Sequence, residues 1–223
     1  MCGRFVHISY LDNLRDVFPV EEVDIEKKEP NYNAAPTQQV PVVVQLDMVR
    51  LTTFRWGLVP FWADDEKIGN RLINARAESV FDKPAFRAAA KRRRCLVAAD
   101  GYYEWKKTGD GRQPWFIRPE SGAPFGLAGI WERWEGGDRD EPLLTCAILT
   151  TDATGLAADI HDRMPVILPP EAYGKWLDPD NDDRDGLSRI LSDELVTGFT
   201  GHPVSRRVNS PKNNGPELIE PAE

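Results

Sequence analysis

The chain has 223 residues, of which 41% are hydrophobic and 29% charged, and its formal net charge is −8 at pH 7. This composition is typical of a folded globular protein, and the negative charge argues against indiscriminate coating of nucleic acid. A few positioned arginines would still suffice for a local phosphate-binding groove. We expect no membrane span and no secretory signal, because the sequence contains neither a long apolar run nor a basic region followed by one.

The first third of the chain predicts a short helix and two strands. Ser9 can cap an amphipathic helix that runs to Phe18. Residues 39–46 and 48–59 are rich in branched and aromatic side chains, which is typical of strands. A second helix is predicted further on, with Asp82 as its cap and a proline in its first turn.

Strands dominate the middle of the chain. Over 95–105 a buried strand is predicted to run into an aromatic strand, followed by a hairpin turn over 106–114 and a returning strand. Two longer strands, a short helix and a further strand come next. The predicted segments after the hairpin are strands at 115–119, 123–134 and 142–151, a helix at 154–161, a strand at 165–168 and helices at 170–177 and 186–193.

The order of these elements shows no regular alternation of strand and helix. We therefore predict one α+β domain over residues 1–223, built on a largely antiparallel sheet that is curved or barrel-like, with interspersed helices. The tail is rich in turn residues, but Leu218 and Ile219 predict that it packs back on the body.

The chain starts with Met1, Cys2, Gly3 and Arg4. If Met1 is removed, Cys2 carries a thiol and a free α-amine on neighbouring carbons. The alternative is an ordinary buried cysteine. The three cysteines are an odd number and predict no disulfide framework, which favours a reducing cytoplasm.

The sequence predicts neither a metal nor a nucleotide cofactor. The three cysteines and three histidines form no pair with the spacing of metal ligands. No Walker loop is present, and no strand-linked glycine-rich fingerprint.

Two polar stretches lie in apolar surroundings within predicted strands. Asn74 and Arg76 would face the same side of an extended strand, where an amide and a guanidinium can bind phosphate. The alternative is a turn asparagine and a surface arginine. Glu104 would face away from Tyr103 and Trp105, as a desolvated acid–base group or as a solvent-facing glutamate.

A third polar stretch follows the predicted helix at 154–161. His161 stands just before a strand, and Asp162 and Arg163 follow it. Histidine is suited to moving protons near neutral pH. The alternative is a structural histidine held by hydrogen bonds.

Taken together, eight stretches in order along nearly the whole chain resemble the SRAP (SOS-response-associated peptidase) family. They are "MCGRF", "NYNAAPTQQVPVV", "RWGLVPFW", "LINARAES", "RCLVAADGYYEWKK", "LTTDA", "IHDRMPVIL" and "HPVSRRVNSPKNNGPELIEP". The resemblance implies a single SRAP domain that captures abasic sites in single-stranded DNA covalently and shields them. It also implies no cofactor, and we expect a monomer that acts in the cytoplasm, on the nucleoid when bound to DNA.

The resemblance assigns roles to residues of this chain. Cys2, once Met1 is removed, is implied to be the nucleophile, with Asn74, Glu104 and His161 as the other active-site residues. The implied contacts to the DNA backbone are Arg4, Arg76 and Arg163, and the implied aromatic wedge at the lesion is Phe61 and Trp62.

Aminothiol chemistry fits this assignment. A neutral α-amine can attack the aldehyde of a ring-opened abasic sugar, and the adjacent thiol can close the resulting imine to a thiazolidine. The same imine permits a β-lyase side reaction, and the same residues could release Met1. Two other classes stay open: a cysteine or N-terminal-nucleophile peptidase, and a non-covalent module for single-stranded DNA.

Overall fold

The computed structural model describes residues 2–9, 11–25, 29–137, 139–193 and 196–222. Fourteen strands and five α-helices occur within these ranges. The strands are β1 (Arg4–His7), β2 (Glu22–Val23), β3 (Asn31–Ala34), β4 (Gln39–Gln45), β5 (Val49–Trp56), β6 (Asn74–Arg76), β7 (Arg94–Ala99), β8 (Gly101–Thr108), β9 (Gly111–Pro119), β10 (Phe125–Trp134), β11 (Leu143–Asp152), β12 (Arg163–Pro165), β13 (Ile167–Leu168) and β14 (Phe199–Pro203). The helices are α1 (Leu11–Val17), α2 (Arg87–Arg92), α3 (Gly155–Ala158), α4 (Pro170–Leu177) and α5 (Arg184–Ser192).

Five strands close into a barrel in the order β11, β10, β7, β4 and β5. Four of the five contacts between neighbours are antiparallel, and the parallel pairing of β5 with β11 closes the ring. Every residue of β7 is buried, because one face lines the barrel interior and the other packs under α2 and α4. The predicted α+β fold with a curved, largely antiparallel sheet is confirmed.

A second sheet lies beside the barrel in the order β14, β9, β8, β1 and β3. Its pairs are antiparallel, and β8 and β9 form the predicted hairpin. The buried strand and the aromatic strand predicted over 95–105 are β7 and β8, which lie in two different sheets. Asp100 marks the break, where its carboxylate accepts hydrogen bonds from the backbone N–H groups of Ile8 and Ser9.

Both predicted helix caps were wrong, because their side chains bind elsewhere. The Ser9 hydroxyl donates to Asp100, and α1 begins at Leu11. The Asp82 carboxylate accepts two hydrogen bonds from Arg184, and α2 begins only at Arg87. Tertiary partners therefore replaced the local capping bonds that the sequence predicted.

The basic run at the end of α2 is largely taken up by structural contacts. Arg94 is buried, and its guanidinium donates to backbone carbonyls that include those of Ala90 and Trp176. Arg93 pairs with Glu132 at 2.8 Å. This segment therefore ties α2 and α4 to the barrel.

The tail packs on the second sheet, as predicted. Leu218 is fully buried in a cluster with Val6, Tyr103 and Val208. In the parts of the chain that the structure describes, no helix has the length and apolar character needed to cross a membrane.

Candidate active site

Cys2 lies directly before β1 and is completely buried. It belongs to an apolar cluster between the second sheet and the barrel, together with Phe5 and Tyr102. Burial, and then the negative charge of Glu104, raise the pKa of the Cys2 thiol to about 12. The thiol therefore stays protonated at neutral pH, and a carboxylate stands close enough to influence it.

Asn74 connects the barrel to Cys2. Strand β6 pairs in parallel with β11, which places Asn74 beside Ile148. The Asn74 Nδ2 donates a hydrogen bond of 2.8 Å to the Cys2 carbonyl oxygen. Ala75 is buried and Arg76 is exposed, so the alternation of the strand directs Asn74 and Arg76 away from the core side, as predicted.

Glu104 lies in β8 and is only 3% exposed. Tyr103 and Trp105 pack on the opposite face of the sheet, against the cluster that contains Val208. The predicted orientation of Glu104 is therefore confirmed, and the alternative of a solvent-facing glutamate was wrong. Its Oε1 accepts a hydrogen bond from the Trp105 backbone N–H at 3.2 Å.

His161 follows α3 and is 27% exposed at its side chain. Its Nδ1 lies 3.0 Å from the Arg163 backbone nitrogen and 2.7 Å from the Asp162 Oδ1. These two contacts suit different protonation states, since a neutral Nδ1 accepts from Arg163 whereas a protonated one donates to Asp162. The Nδ1 atom therefore lies within hydrogen-bonding distance of one donor and one acceptor.

The three predicted DNA-binding arginines have different surroundings. Arg163 pairs with both oxygens of Glu78 at 2.7 and 2.9 Å and with Asp152 at 2.6 Å. Arg4 is half-buried, donates to the Val208 carbonyl at 2.9 Å, and has a pKa lowered by burial. Arg76 is exposed. Its guanidinium is the most accessible of the three.

Phe61 and Trp62 stand on the surface, 59% and 50% exposed. The loop that carries them begins at Gly57, whose φ of 125° and close approach to the Gly69 carbonyl exclude a side chain. The Gly57 backbone N–H donates a hydrogen bond to the carbonyl oxygen of Cys146 in β11. Two large aromatic groups are therefore held in solvent on a well-anchored loop.

Seven of the predicted residues form three groups. Asn74 is hydrogen-bonded to Cys2, and the Glu104 carboxylate is close enough to influence the Cys2 thiol. His161 and Arg163 form a second group, and Phe61 and Trp62 form a third. Arg4 and Arg76 stand two residues after Cys2 and Asn74 along the chain. Sequence reasoning missed the carboxylates that hold Arg163, because Glu78 is 85 residues away and Asp152 meets Arg163 only through the pairing of β11 with β12. In the described ranges, no group of three or more histidine, cysteine and acidic residues could hold a metal ion. Met1 lies outside the described residues.

The structure is a closed barrel with a second sheet beside it, and it holds Cys2 with a hydrogen bond from Asn74 and under the influence of the Glu104 charge. The chain belongs to the SRAP family (SOS response associated peptidase), whose model matches residues 1–211. It is 43% identical to the abasic site processing protein YoqW of Bacillus subtilis, over 99% of each chain. It is 36% identical to YedK of Escherichia coli, an abasic site processing protein, over 99% of this chain and 100% of that one.

A more distant relative and a solved structure are also similar to this chain. The abasic site processing protein HMCES of Gallus gallus is 34% identical, over 87% of this chain and 67% of its own length. A crystal structure of a Bacteroides thetaiotaomicron protein superposes with a TM-score of 0.84 at 27% identity and covers both chains completely.

Proposed function

We propose that this protein captures abasic sites in single-stranded DNA through a covalent thiazolidine formed by Cys2. One observation carries the proposal: Cys2 is buried beside Glu104 while Asn74 holds its carbonyl. The names of the relatives support the choice of an abasic site as the substrate.

The proposed chemistry begins with the release of Met1. Water hydrolyses the Met1–Cys2 peptide bond and frees the Cys2 α-amine, a step that the residues around Cys2 could themselves catalyse. With a pKa of roughly 7.7–8.0, part of this amine is neutral at physiological pH. It adds to the C1′ aldehyde of the open sugar, and loss of one water gives an imine.

The thiol completes the adduct. A carbon–sulfur bond forms at the imine carbon, the imine nitrogen gains a proton, and a five-membered ring results. Since the pKa of the buried Cys2 thiol is raised to about 12, a base is needed to take its proton as the bond forms. We assign to Glu104, whose charge acts on this thiol, the role of accepting that proton and passing it to the nitrogen. Alternatively, β-elimination from the imine would cleave the strand as a lyase side reaction.

The remaining residues have supporting roles. His161 assists opening of the sugar by moving a proton, which its two alternative Nδ1 contacts permit. Arg76 and Arg4 bind backbone phosphates, and Arg163 positions the His161 segment through its carboxylate pairs. Phe61 and Trp62 stack on bases beside the lesion in a sequence-tolerant manner.

The test is the intact mass of the purified protein before and after incubation with a single-stranded oligonucleotide that carries one abasic site. We expect loss of one methionine, then a stable protein–DNA species whose mass equals protein plus DNA minus one water. Cys2→Ala should not form it, whereas Cys146→Ala, which alters a different buried cysteine, should. A retained methionine with no covalent species would refute the proposal.

The same samples separate the remaining alternatives. Tight but reversible binding by Cys2→Ala, equal to that of the wild type, would point to a non-covalent DNA-binding module. Turnover of small amides or peptides would point to a peptidase. We propose that the protein acts as a monomer in the cytoplasm, on nucleoid DNA, and gel filtration with and without the oligonucleotide tests the first of these points.

A further inference from the structure

The hairpin of β8 and β9 places further side chains on the face that carries Glu104. Glu104 lies directly opposite Trp115, and Lys106 lies opposite Gln113. Side chains two residues apart on a strand share a face, so Lys106 is on the same face as Glu104, about 7 Å further along. Trp115 packs against the apolar cluster that contains Cys2.

Lys106 and Trp115 are in direct contact. The Lys106 ammonium lies over the indole, 5.8 Å from the ring centroid. This is the diagonal contact that long and aromatic side chains make across an antiparallel pair. Attraction between the cation and the ring restrains an otherwise flexible ammonium. Both residues are partly exposed, so the charge is held beside the site while it stays accessible to solvent.

The charge on Lys106 is available to an anion. Among the residues that the structure describes, Lys106 forms no ion pair. Arg163 differs, because Glu78 and Asp152 neutralise its guanidinium. A cation without a carboxylate partner binds a phosphodiester better, because no existing ion pair has to be broken first.

We propose that Lys106 binds a backbone phosphate of the nucleotide next to the abasic sugar, and that Trp115 is a positioning residue that holds the ammonium in place. This inference rests on the proposed function, since it deepens the description of the same site. Lys106 then supplies, on the face of β8 that carries Glu104, the phosphate contact that Arg163 is poorly placed to make.

The first experiment compares Lys106→Met with Lys107→Met. Both remove one charge from the same strand, but Lys107 is exposed on the opposite face. Binding of a short single-stranded oligodeoxynucleotide without a lesion is measured by fluorescence anisotropy across a salt series. We expect Lys106→Met to reduce the slope of log K against log salt by about 0.7, the value for one phosphate on a single strand. Lys107→Met should leave the slope unchanged.

The second experiment separates phosphate binding from an effect on the chemistry. Covalent capture is measured by intact mass for an oligonucleotide with one abasic site and for free 2-deoxyribose, which has no phosphate. We expect the ratio of the two rates to fall about fivefold in Lys106→Met. An equal loss with both aldehydes would overturn the proposal, because Lys106 would then act on Glu104 or Cys2.

The role of Trp115 is tested by a double-mutant cycle. If Trp115 acts only through Lys106, then Trp115→Leu should reduce the salt slope and add nothing further in the Lys106→Met background. Independent, additive losses would overturn the positioning role, and Trp115→Phe should restore part of the effect. If the wild type forms no adduct at all, the proposed function fails; if it forms the adduct and the two lysine variants behave alike, only this inference fails.

Discussion

The side-chain amide of Asn74 donates a 2.8 Å hydrogen bond to the backbone carbonyl of Cys2, 72 residues earlier in the chain. This bond joins a strand paired to the barrel with the segment that enters the second sheet. It therefore fixes the backbone of the proposed nucleophile from outside its own sheet. The predictions below follow from this bond and from the groups around it.

Replacing Asn74 with alanine should slow covalent capture about tenfold, equivalent to about 1.4 kcal/mol, because the Cys2 carbonyl loses its donor. The rate of adduct formation by intact mass measures this effect. Asn70→Ala is the control, since the exposed Asn70 side chain accepts a bond from Arg55 instead of donating to Cys2. Equal rates for the two variants would contradict the role of Asn74.

Glu104→Gln should lower the pKa of the Cys2 thiol, because it removes a negative charge and leaves the larger effect of burial in place. Alkylation of Cys2 at alkaline pH should therefore become faster. Covalent capture should nevertheless become about 100-fold slower, since the proton acceptor is lost. The two rates are measured on the same protein, and capture that survives unchanged would remove Glu104 from the proposed mechanism.

Arg163→Met should destabilise the fold by about 1–2 kcal/mol, since a largely buried guanidinium is lost and two exposed carboxylates lose their partner. Chemical denaturation gives the value. Arg133→Met is the control, because Arg133 and Glu135 are both exposed and their pair should contribute almost nothing.

Substitutions of Arg76 and Arg163 distinguish a phosphate contact from a positioning role. Arg76→Met should reduce the salt slope of binding to single-stranded DNA by about 0.7, as expected for one lost phosphate contact. Arg163→Met should slow covalent capture and change that salt slope little. A reduced salt slope with little loss of capture would indicate that Arg163 contacts a DNA phosphate, and would argue against its proposed positioning role.

Phe61→Ala combined with Trp62→Ala should leave stability within about 0.5 kcal/mol of the wild type, because both side chains are at least half exposed. Affinity for single-stranded DNA should fall at least tenfold if both stack on bases. Leu46→Ala, at another exposed apolar position, is the control. Unchanged affinity would show that the aromatic pair has another partner.

Stability should decline at alkaline pH, because cysteines that stay protonated in the folded state ionise in the unfolded chain. Burial raises the pKa of Cys146 from 9.0 to about 12, so its protonated form is favoured by the folded state. This contribution is complete below about pH 9 and is lost as the pH rises towards 12, at up to about 1.4 kcal/mol per pH unit. Urea midpoints from pH 8 to 11 should fall less steeply for Cys146→Ala than for the wild type. Parallel curves would contradict this assignment.

The strands could largely be predicted from the sequence, whereas several ends of elements could not. Branched and aromatic runs located β4, β5, β10 and β11, since side-chain pattern and strand propensity act locally. The change of sheet at Asp100 was not predicted, because it depends on backbone donors more than ninety residues away. The helix that Asp82 was predicted to cap is shorter for the same kind of reason.

The sequence by itself determined the chemistry that is available: which residue follows Met1, which face of its strand Glu104 occupies, and which family the motifs belong to. Only the tertiary structure decided which of these groups meet. The parallel pairings of β5 and β6 with β11 close the barrel and bring Asn74 to Cys2, and pairing across such distances is not encoded in any local pattern. The neutralisation of Arg163 and the contact of Lys106 with Trp115 were decided in the same way, because ion pairs and cation–π contacts depend on where folded strands place their side chains.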